Sequence, residues 1–184
     1  MFAAAGIDVI GLDDAGIAES SIEDSLETEA TFEGNALAKA RHFHRVSGRA
    51  TVADDSGIEV AALGGAPGVH SKRWSGRDDL SGQALDDANN ALLLERLADA
   101  SDRRARYVCV AAFCGDDREL VERGEVEGEI VSAPRGKGGF GYDPFFESLE
   151  LGRTFGEVSM EEKARVSHRA RAFAKLLRRL KSRG

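Results

Sequence analysis

Cysteine, an excess of positive charge and long apolar runs are all scarce or absent in this sequence. The only cysteines, Cys109 and Cys114, lie in the apolar segment YVCVAAFCG, which argues against a disulfide framework and favours buried thiols in a cytoplasmic protein. The net charge of -7 at pH 7 argues against a broad basic surface for nucleic acid. No apolar run approaches the roughly 20 residues of a membrane-spanning helix. We therefore expect neither a nucleic-acid partner nor a membrane partner.

What the chain does contain is typical of one globular domain. Hydrophobic residues make up 42% of its 184 residues, which is enough to bury a sizeable core. The N-terminal segment MFAAAGIDVI lacks the positive flank and the length of a signal peptide, so we expect it to belong to the fold. No internal repeat, low-complexity segment or interdomain linker is evident. The sequence therefore predicts a single domain over residues 1–184.

Helical and strand patterns are interleaved along the chain, which predicts a mixed α/β fold. Helices are predicted over residues 31–48, 81–100 and 159–181; Gly48 closes the first, and a Ser159–Glu162 capping box opens the last. Ser167 can cap a second helix, which allows a break there. Strands are predicted over residues 6–12, 50–55, 104–113, 118–131 and 143–148. The last helix is expected to bury one stripe, formed by Val166, Ala170, Phe173, Leu177 and Leu180.

The stretch ADDSG, residues 53–57, contains two adjacent carboxylates, Asp54 and Asp55. Asp, Ser and Gly are ordinary turn residues, so a simple turn between two strands would account for the stretch. The strand predicted before it ends at the two aspartates, however, and open α/β sheets place ligands at the carboxyl ends of their strands. The acidic pair is therefore a candidate site for Mg²⁺.

The glycine-rich segment PRGKGGFGYDPFF, residues 134–146, is a second candidate site. Gly136, Gly138 and Gly141 satisfy the dinucleotide-binding spacing G-x-G-x-x-G, but no strand leads directly into them and no helix follows. The phosphate-binding pattern G-x-x-x-x-G-K-[ST] does not occur. The segment is then either a long surface loop or a loop in which an aromatic side chain such as Phe140 stacks on a flat base.

Polar residues at helical spacing form a further group. Asn35 and Lys39 lie four residues apart, on one face of the first predicted helix, with Glu27 upstream. Most such pairs only face solvent. His42 and His44, two residues apart on the same helix, point to different sides and do not predict a zinc site.

Hydrogen-bond donors are concentrated in the C-terminal segment, where Lys163 precedes the pair His168 and Arg169. Basic residues on a helix surface usually contact only water. Taken with the acidic pair, the lysines and the aromatic glycine-rich loop, these donors could meet a carbonyl group of a base. Together the groups indicate a nucleotide pocket.

Four segments, in the same order along the chain, resemble segments of the inosine triphosphate pyrophosphatases, also called non-canonical purine nucleoside triphosphate pyrophosphatases. The similar segments are TFEGNALAKA (31–40), ADDSGIEVAALGGAPGVHSKRWSG (53–76), GGFGYDPFF (138–146) and EEKARVSHRARA (161–172). The resemblance implies hydrolysis of ITP, dITP or XTP to the monophosphate and pyrophosphate, which cleans the nucleotide pool. It also implies Mg²⁺ as the cofactor, a homodimer, and an elongated α/β fold in which two lobes flank a central nucleotide cleft.

The resemblance further implies a role for individual residues. Asp55 would be the general base that activates water, and the metal's carboxylates would be Glu27, Asp54 and Asp55. The phosphates, or the metal's waters, would meet Asn35, Lys39 and Ser56. The base would be held by Phe140, Gly141, Tyr142 and Asp143, and its 6-position would meet Lys163, His168 and Arg169. Because a guanidinium only donates hydrogen bonds, Arg169 suits the 6-oxo group of hypoxanthine and opposes the 6-amino group of adenine.

The sequence departs from the family pattern near its start. The family's [ST]-G-N-x-x-K loop does not occur before Glu27, so we expect a domain that is incomplete at its N-terminus. Gly34 stands where Glu is frequent, and Glu29 stands where Gly is usual. Two alternatives therefore stay open: a nucleotide-binding protein with impaired catalysis, and a pyrophosphatase with a different base preference.

Overall fold

The mixed α/β fold predicted from the sequence is confirmed by a computed structural model, which describes residues 2–17 and 26–182. The chain divides into two compact units. The first unit consists of Met1–Asp55, Cys109–Gly124 and Arg171–Gly184, and the second of Ser56–Val108 and Glu125–Ala170. Among the described residues, no helix combines the length and the apolar character needed to cross a membrane.

From residue 32 onward, the helices and strands follow the predicted order. The helices are α1 (Phe32–Ser47), α2 (Gly82–Arg96), α3 (Met160–Val166) and α4 (His168–Lys181). The strands are β1 (Thr51–Val60), β2 (Arg104–Gly115), β3 (Arg118–Ile130), β4 (Phe146–Ser148) and β5 (Arg153–Thr154). The second helix ends at Arg96 and not at residue 100, β4 covers only the last three residues of its predicted strand, and β5 was not predicted. Short 3-10 helices cover Ala3–Ala5, Ala61–Leu63 and Gly68–Arg73.

All five strands belong to one sheet with the order β1-β2-β3-β4-β5. A two-residue turn joins β2 to β3, and neighbouring strands joined so closely are antiparallel. Strand β4 pairs antiparallel with β3, with Phe146 opposite Ile130, and β5 pairs antiparallel with β4. Each strand therefore neighbours the next one along the chain, and the pairing needs no crossover.

Helix α1 has the boundaries that its sequence predicts. The side chain of Thr31 accepts a hydrogen bond from the Gly34 amide at 3.1 Å, and Gly48 ends the helix in the left-handed conformation. Its buried face contains apolar residues but also Asn35 and Lys39. Because polar side chains are costly to bury without partners, this face indicates a site and not only packing.

The predicted end of one strand and the predicted existence of another also need correction. Strand β1 does not end at the aspartates but continues to Val60, so Asp54 and Asp55 lie in the middle of a strand and ADDSG is not a turn. Pairing with β2 outweighs the turn preference of these residue types. The strand predicted over residues 6–12 does not form. The side chain of Val9 there is 54% exposed, so burial does not stabilise an extended conformation.

The C-terminal helices confirm two predictions and correct a third. The Ser159–Glu162 capping box opens α3, and Ser167 breaks the helix there and accepts a hydrogen bond from the Ala170 amide at 3.2 Å. The predicted stripe is wrong in part, because Ala172 and Leu176 are the fully buried residues of α4. The extended conformation of Ser167 interrupts the helix, so residues before and after it do not share one helical repeat.

Each unit has its own hydrophobic core. The core of the first unit includes the buried residues Cys109, Ala111, Ala172 and Leu176, with partly buried neighbours packed against them. In the second unit, the core includes Ile58, Val60, Leu93, Leu97, Val126, Ile130, Phe146 and Phe155. Cys109 and Cys114 are both buried and neither forms a disulfide, as predicted.

Candidate functional site

In the first unit, α1 and β1 bring predicted site residues into one buried cluster, which we call the Asp55 cluster. The Asn35 side-chain amide donates to Asp55 Oδ2 at 3.0 Å. The Lys39 ammonium donates to Asp55 Oδ1 at 3.1 Å and to Glu27 Oε1 at 2.9 Å. Asp55 is 6% exposed and Lys39 is 7% exposed, so these charges interact largely away from water.

The surroundings of the Asp55 cluster shift the proton affinity of its members. Burial raises the pKa of Asp55 above its ordinary value, although the charge of Lys39 and the hydrogen bond from Asn35 oppose this. Burial lowers the pKa of Lys39, but the charges and hydrogen bonds of Asp55 and Glu27 together raise it above its usual range. Lys39 is therefore a permanent cation, and Asp55 is a better proton acceptor than an exposed aspartate.

Asp54 lies apart from this cluster. Successive residues of a strand point to opposite faces of the sheet, and the thiol of Cys109 approaches Asp54 Oδ2 at 3.5 Å. The structure therefore does not bring Asp54 together with Glu27 and Asp55. Within residues 2–17 and 26–182, no three His, Cys, Asp or Glu side chains form a metal-binding group.

Two of the predicted metal ligands do reach a common cation. Glu27 and Asp55 both contact the Lys39 ammonium, so their carboxylates face one position of positive charge. Mg²⁺ commonly uses one or two protein carboxylates, and waters and substrate phosphates complete its octahedron. The pair of Glu27 and Asp55 fits that habit, whereas the set of three carboxylates does not.

The second unit contains a cavity of about 400 Å³, within the range of small-molecule sites. The remaining predicted site residues all line it, namely Ser56, Phe140, Gly141, Tyr142, Asp143, Lys163, His168 and Arg169. They come from β1, from the loop between β3 and β4, and from the end of α3 and the start of α4. We refer to this space as the base cavity.

Asp143 is the hydrogen-bond centre of the base cavity. Its Oδ1 accepts from the Tyr107 hydroxyl at 3.1 Å. Its Oδ2 accepts from the Phe140 amide at 2.9 Å and from the Lys163 ammonium. A buried carboxylate with three donors is well compensated, so Asp143 fixes the loop and Lys163 in one arrangement.

Tyr107 also determines how His168 is placed. The two rings are stacked, with centroids 4.8 Å apart and an interplanar angle of 8°. Burial raises the pKa of Tyr107 well above its ordinary value, and the charge of Asp143 adds to the effect. The hydroxyl therefore stays protonated and donates to Asp143, while the ring supports the imidazole.

Phe140 offers an exposed aromatic ring at the base cavity. Its side chain is 65% exposed, and the Lys163 ammonium lies 4.9 Å from the ring centroid. Gly139 precedes it at a φ of 75°, and a Cβ there would collide with the Asp143 carboxylate. The glycine therefore lets the loop pass close to Asp143 while the Phe140 ring stays available for stacking.

Several residues of the base cavity were missed by sequence reasoning. They are Gly57, Ser71, Lys72, Asp86, Asn89, Tyr107, Met160, Ala164 and Ser167. Ser71 and Lys72 lie inside the second resembling segment, which was a usable signal. Tyr107 begins the apolar run YVCVAAFC within β2, where its hydroxyl was the only oxygen-containing side-chain group.

Comparisons with known proteins identify the family of this chain. The Ham1 family model matches residues 1–179. A dITP/XTP pyrophosphatase of Ralstonia nicotianae is 49% identical over 175 residues, which cover 94% of this chain and 86% of that protein. A dITP/XTP pyrophosphatase of Mycobacterium tuberculosis is 49% identical over 179 residues, with coverages of 96% and 83%. The solved structure of a HAM1 protein from Coxiella burnetii is 39% identical, with a TM-score of 0.83 and coverages of 96% and 87%. This chain therefore belongs to the Ham1 family.

Proposed function

We propose that this chain hydrolyses the triphosphates of non-canonical purine nucleosides, ITP, dITP and XTP, to the monophosphate and pyrophosphate, and so cleans the nucleotide pool. The observation that carries the proposal is the base cavity, in which an exposed aromatic face and several fixed donors meet. The names of the relatives at 49% identity support the same substrates.

The base cavity favours a purine with a 6-oxo group. Lys163, His168 and Arg169 all line it, and an ammonium and a guanidinium only donate hydrogen bonds. A 6-oxo group accepts such bonds, whereas the 6-amino group of adenine would meet donor with donor. A site whose donors are left without partners rejects a wrong ligand strongly, so we expect ITP to be preferred over ATP.

Asp55 is the residue that we propose as the general base. A water attacks the α-phosphorus, its proton passes to a carboxylate oxygen of Asp55, and the bond between the α-phosphorus and the bridging oxygen breaks to release pyrophosphate. Asn35 and Lys39 hold the two carboxylate oxygens, so that the base is oriented before substrate arrives.

Mg²⁺ is the cofactor that we propose, and Glu27 and Asp55 are the residues that would hold it. When bound, the ion would neutralise charge on the phosphates and on the leaving pyrophosphate. The support is that both carboxylates face the Lys39 ammonium. In this proposal Asp54 is a neighbour of the site and not a ligand.

We also propose that the protein is a cytoplasmic homodimer. The family resemblance supports the dimer, and two buried cysteines without a disulfide are in keeping with a reducing compartment. Light scattering coupled to size-exclusion chromatography measures the oligomeric state directly. A monomer at all concentrations would contradict the proposed dimer.

The proposed function is tested by measuring pyrophosphate release from a panel of nucleotides with and without Mg²⁺. We expect release from ITP, dITP and XTP, little release from ATP, and loss of activity on chelation. Binding of ITP measured on the same preparation separates the alternatives. ITP binding without release would indicate impaired catalysis, and equal release from ATP would indicate a different base preference.

A further inference from the structure

Two residues of α2 hold both polar backbone groups of Gly141. Asp86 Oδ2 accepts a hydrogen bond from the Gly141 amide at 2.8 Å. The side-chain amide of Asn90 donates to the Gly141 carbonyl oxygen at 3.0 Å. Residues four apart lie on one face of a helix, so one face of α2 grips a single residue of the glycine-rich loop. We call this pair the α2 clamp.

The Asp86 side of the α2 clamp acts on the peptide that follows Phe140, and the Asn90 side acts on the next peptide. On the Phe140 side of the first peptide, the carbonyl oxygen accepts from the Asp143 amide at 3.2 Å. The peptide before Phe140 is held as well, because the Phe140 amide donates to Asp143 Oδ2. Asp143 thus fixes Phe140 from within the loop, and Asp86 fixes it from outside. Since the Phe140 ring is largely exposed, its direction depends on its backbone and not on packing.

The surroundings of the clamp residues favour a positioning role over a contribution to packing. Asn90 is 5% exposed, and its Oδ1 has no hydrogen-bond partner among the described residues. A buried amide with one unsatisfied polar atom costs stability. The hydrogen bond to Gly141 is therefore the contact through which Asn90 acts. For the Asp86 side chain, the Gly141 amide is the hydrogen-bond donor that it meets within residues 26–182.

We propose that Asp86 and Asn90 are positioning residues for base recognition, which hold Gly141 so that the Phe140 ring is oriented before the substrate binds. This inference rests on the proposed function, because it concerns how the same cavity receives a purine. A loop that is already ordered loses less conformational entropy on binding, so the clamp improves affinity without touching the reacting atoms. Its loss should therefore raise KM much more than it lowers kcat.

The experiment compares Asp86→Ala and Asp86→Asn with Asp87→Ala, which serves as the matched control. Asp87 is the next residue of α2 and is exposed. Its carboxylate accepts a hydrogen bond from Gln83 and not from the glycine-rich loop. Amide hydrogen exchange of Gly141, measured by NMR without nucleotide, reports the clamp directly. The Gly138 amide, which bonds to the Gly156 carbonyl, is the internal reference. Steady-state kinetics with ITP give KM and kcat separately.

In Asp86→Ala we expect faster exchange at Gly141 but not at Gly138, and a KM for ITP about 10-fold higher with kcat changed less than about threefold. Asp86→Asn keeps an acceptor and should stay within about threefold of the wild type in both constants. Asp87→Ala should match the wild type. Asn90→Ala should speed exchange at Gly141 and raise KM in the same sense.

The proposal would be overturned if Gly141 exchange were unchanged in both alanine variants. It would also be overturned if kcat fell while KM did not rise. Failure of Asp86→Asn to restore the wild-type KM would overturn it as well. These outcomes are distinct from failure of the proposed function. If wild-type protein released no pyrophosphate from ITP, the function would fail, whereas the exchange measurement would still decide whether the clamp orders the loop.

Discussion

At the scale of single residues, Asp55 shows how the fold prepares a buried carboxylate for chemistry. An isolated charge at this position would be costly, and burial does raise the pKa of Asp55. Lys39 and Asn35 compensate by donating one hydrogen bond to each carboxylate oxygen. The carboxylate is thus kept in one orientation.

Asp55→Asn is expected to abolish most turnover while the fold stays intact. Loss of general-base catalysis alone costs about 10²–10⁴ in rate, and the amide would also be a poorer ligand for Mg²⁺. The measurement is pyrophosphate release from ITP, with thermal unfolding as the check on folding. Glu59→Gln, on the same strand, is the control. Near-normal release by Asp55→Asn would exclude Asp55 as the base.

Arg169→Ala is expected to reduce the preference for ITP over ATP, mainly because kcat/KM for ITP falls. One charge-assisted hydrogen bond contributes about 1.5–3 kcal/mol, so kcat/KM for ITP should fall about 10- to 100-fold. Arg165→Ala is the control, because Arg165 is exposed on α3 and bonds to Glu161. Unchanged kinetics with both nucleotides would show that Arg169 does not read the base.

The candidate site was predictable residue by residue only where local spacing or the resemblance indicated it. The helical spacing of Asn35 and Lys39 placed them on one face, but their burial depends on packing that no spacing reveals. Asp86 meets a residue 55 positions away, and Tyr107 meets one 36 positions away. Such contacts arise from the tertiary fold, so neither residue carried a signal in the sequence.

At the scale of elements, a prediction succeeded where the interaction that forms the element is local and failed where it is not. The limits of α1 and the start of α3 were predicted well because Thr31, Gly48 and the Ser159–Glu162 capping box act through neighbouring backbone groups. The end of β1 was predicted wrongly because strand pairing with a distant segment overrides local turn preference. Local interactions can be read from sequence, whereas sheet pairing cannot.

Ser159→Ala is expected to destabilise α3 and, through it, the placement of Lys163. The Ser159 hydroxyl accepts from the Glu162 amide at 3.2 Å, and Glu162 accepts in return from the Ser159 amide at 2.9 Å. Loss of such a cap costs about 0.5–2 kcal/mol. Urea unfolding should show this decrease, and Ser159→Thr should recover most of it. Equal stability of the alanine and threonine variants would contradict the role of the cap.

Acid should weaken the same helix start. A hydrogen bond from Arg153 and the bonds to Ser159 lower the pKa of Glu162 to about 2. Because this pKa lies below its unfolded value, the stabilisation is present above the unfolded pKa and is lost as pH falls towards the folded one. Glu162→Gln should therefore be less stable than the wild type near about pH 6, and the difference should shrink near about pH 3. A difference independent of pH would contradict this, and Glu161→Gln is the control.

At the scale of the whole molecule, the proposed function assigns each compact unit a separate part of the chemistry. The first unit contains the Asp55 cluster, which we propose supplies the base, and the second contains the base cavity, which we propose selects the purine. Each part is built on its own hydrophobic core. Base selection and hydrolysis should therefore be separable by substitution, with Arg169 affecting the first and Asp55 the second.

That separation predicts how nucleotides stabilise the entire protein. In Asp55→Asn, ITP should still bind the native state, because the base cavity is unchanged, and a ligand at 100 times its Kd stabilises by about 2.7 kcal/mol. For a chain of this size about 1 kcal/mol corresponds to roughly 2–4 °C in Tm, so we expect a rise of roughly 5–11 °C. ATP at the same concentration should raise Tm much less, since the donors of the cavity oppose adenine. Thermal unfolding with each nucleotide measures this, and equal shifts with ITP and ATP would mean that the cavity does not select the base.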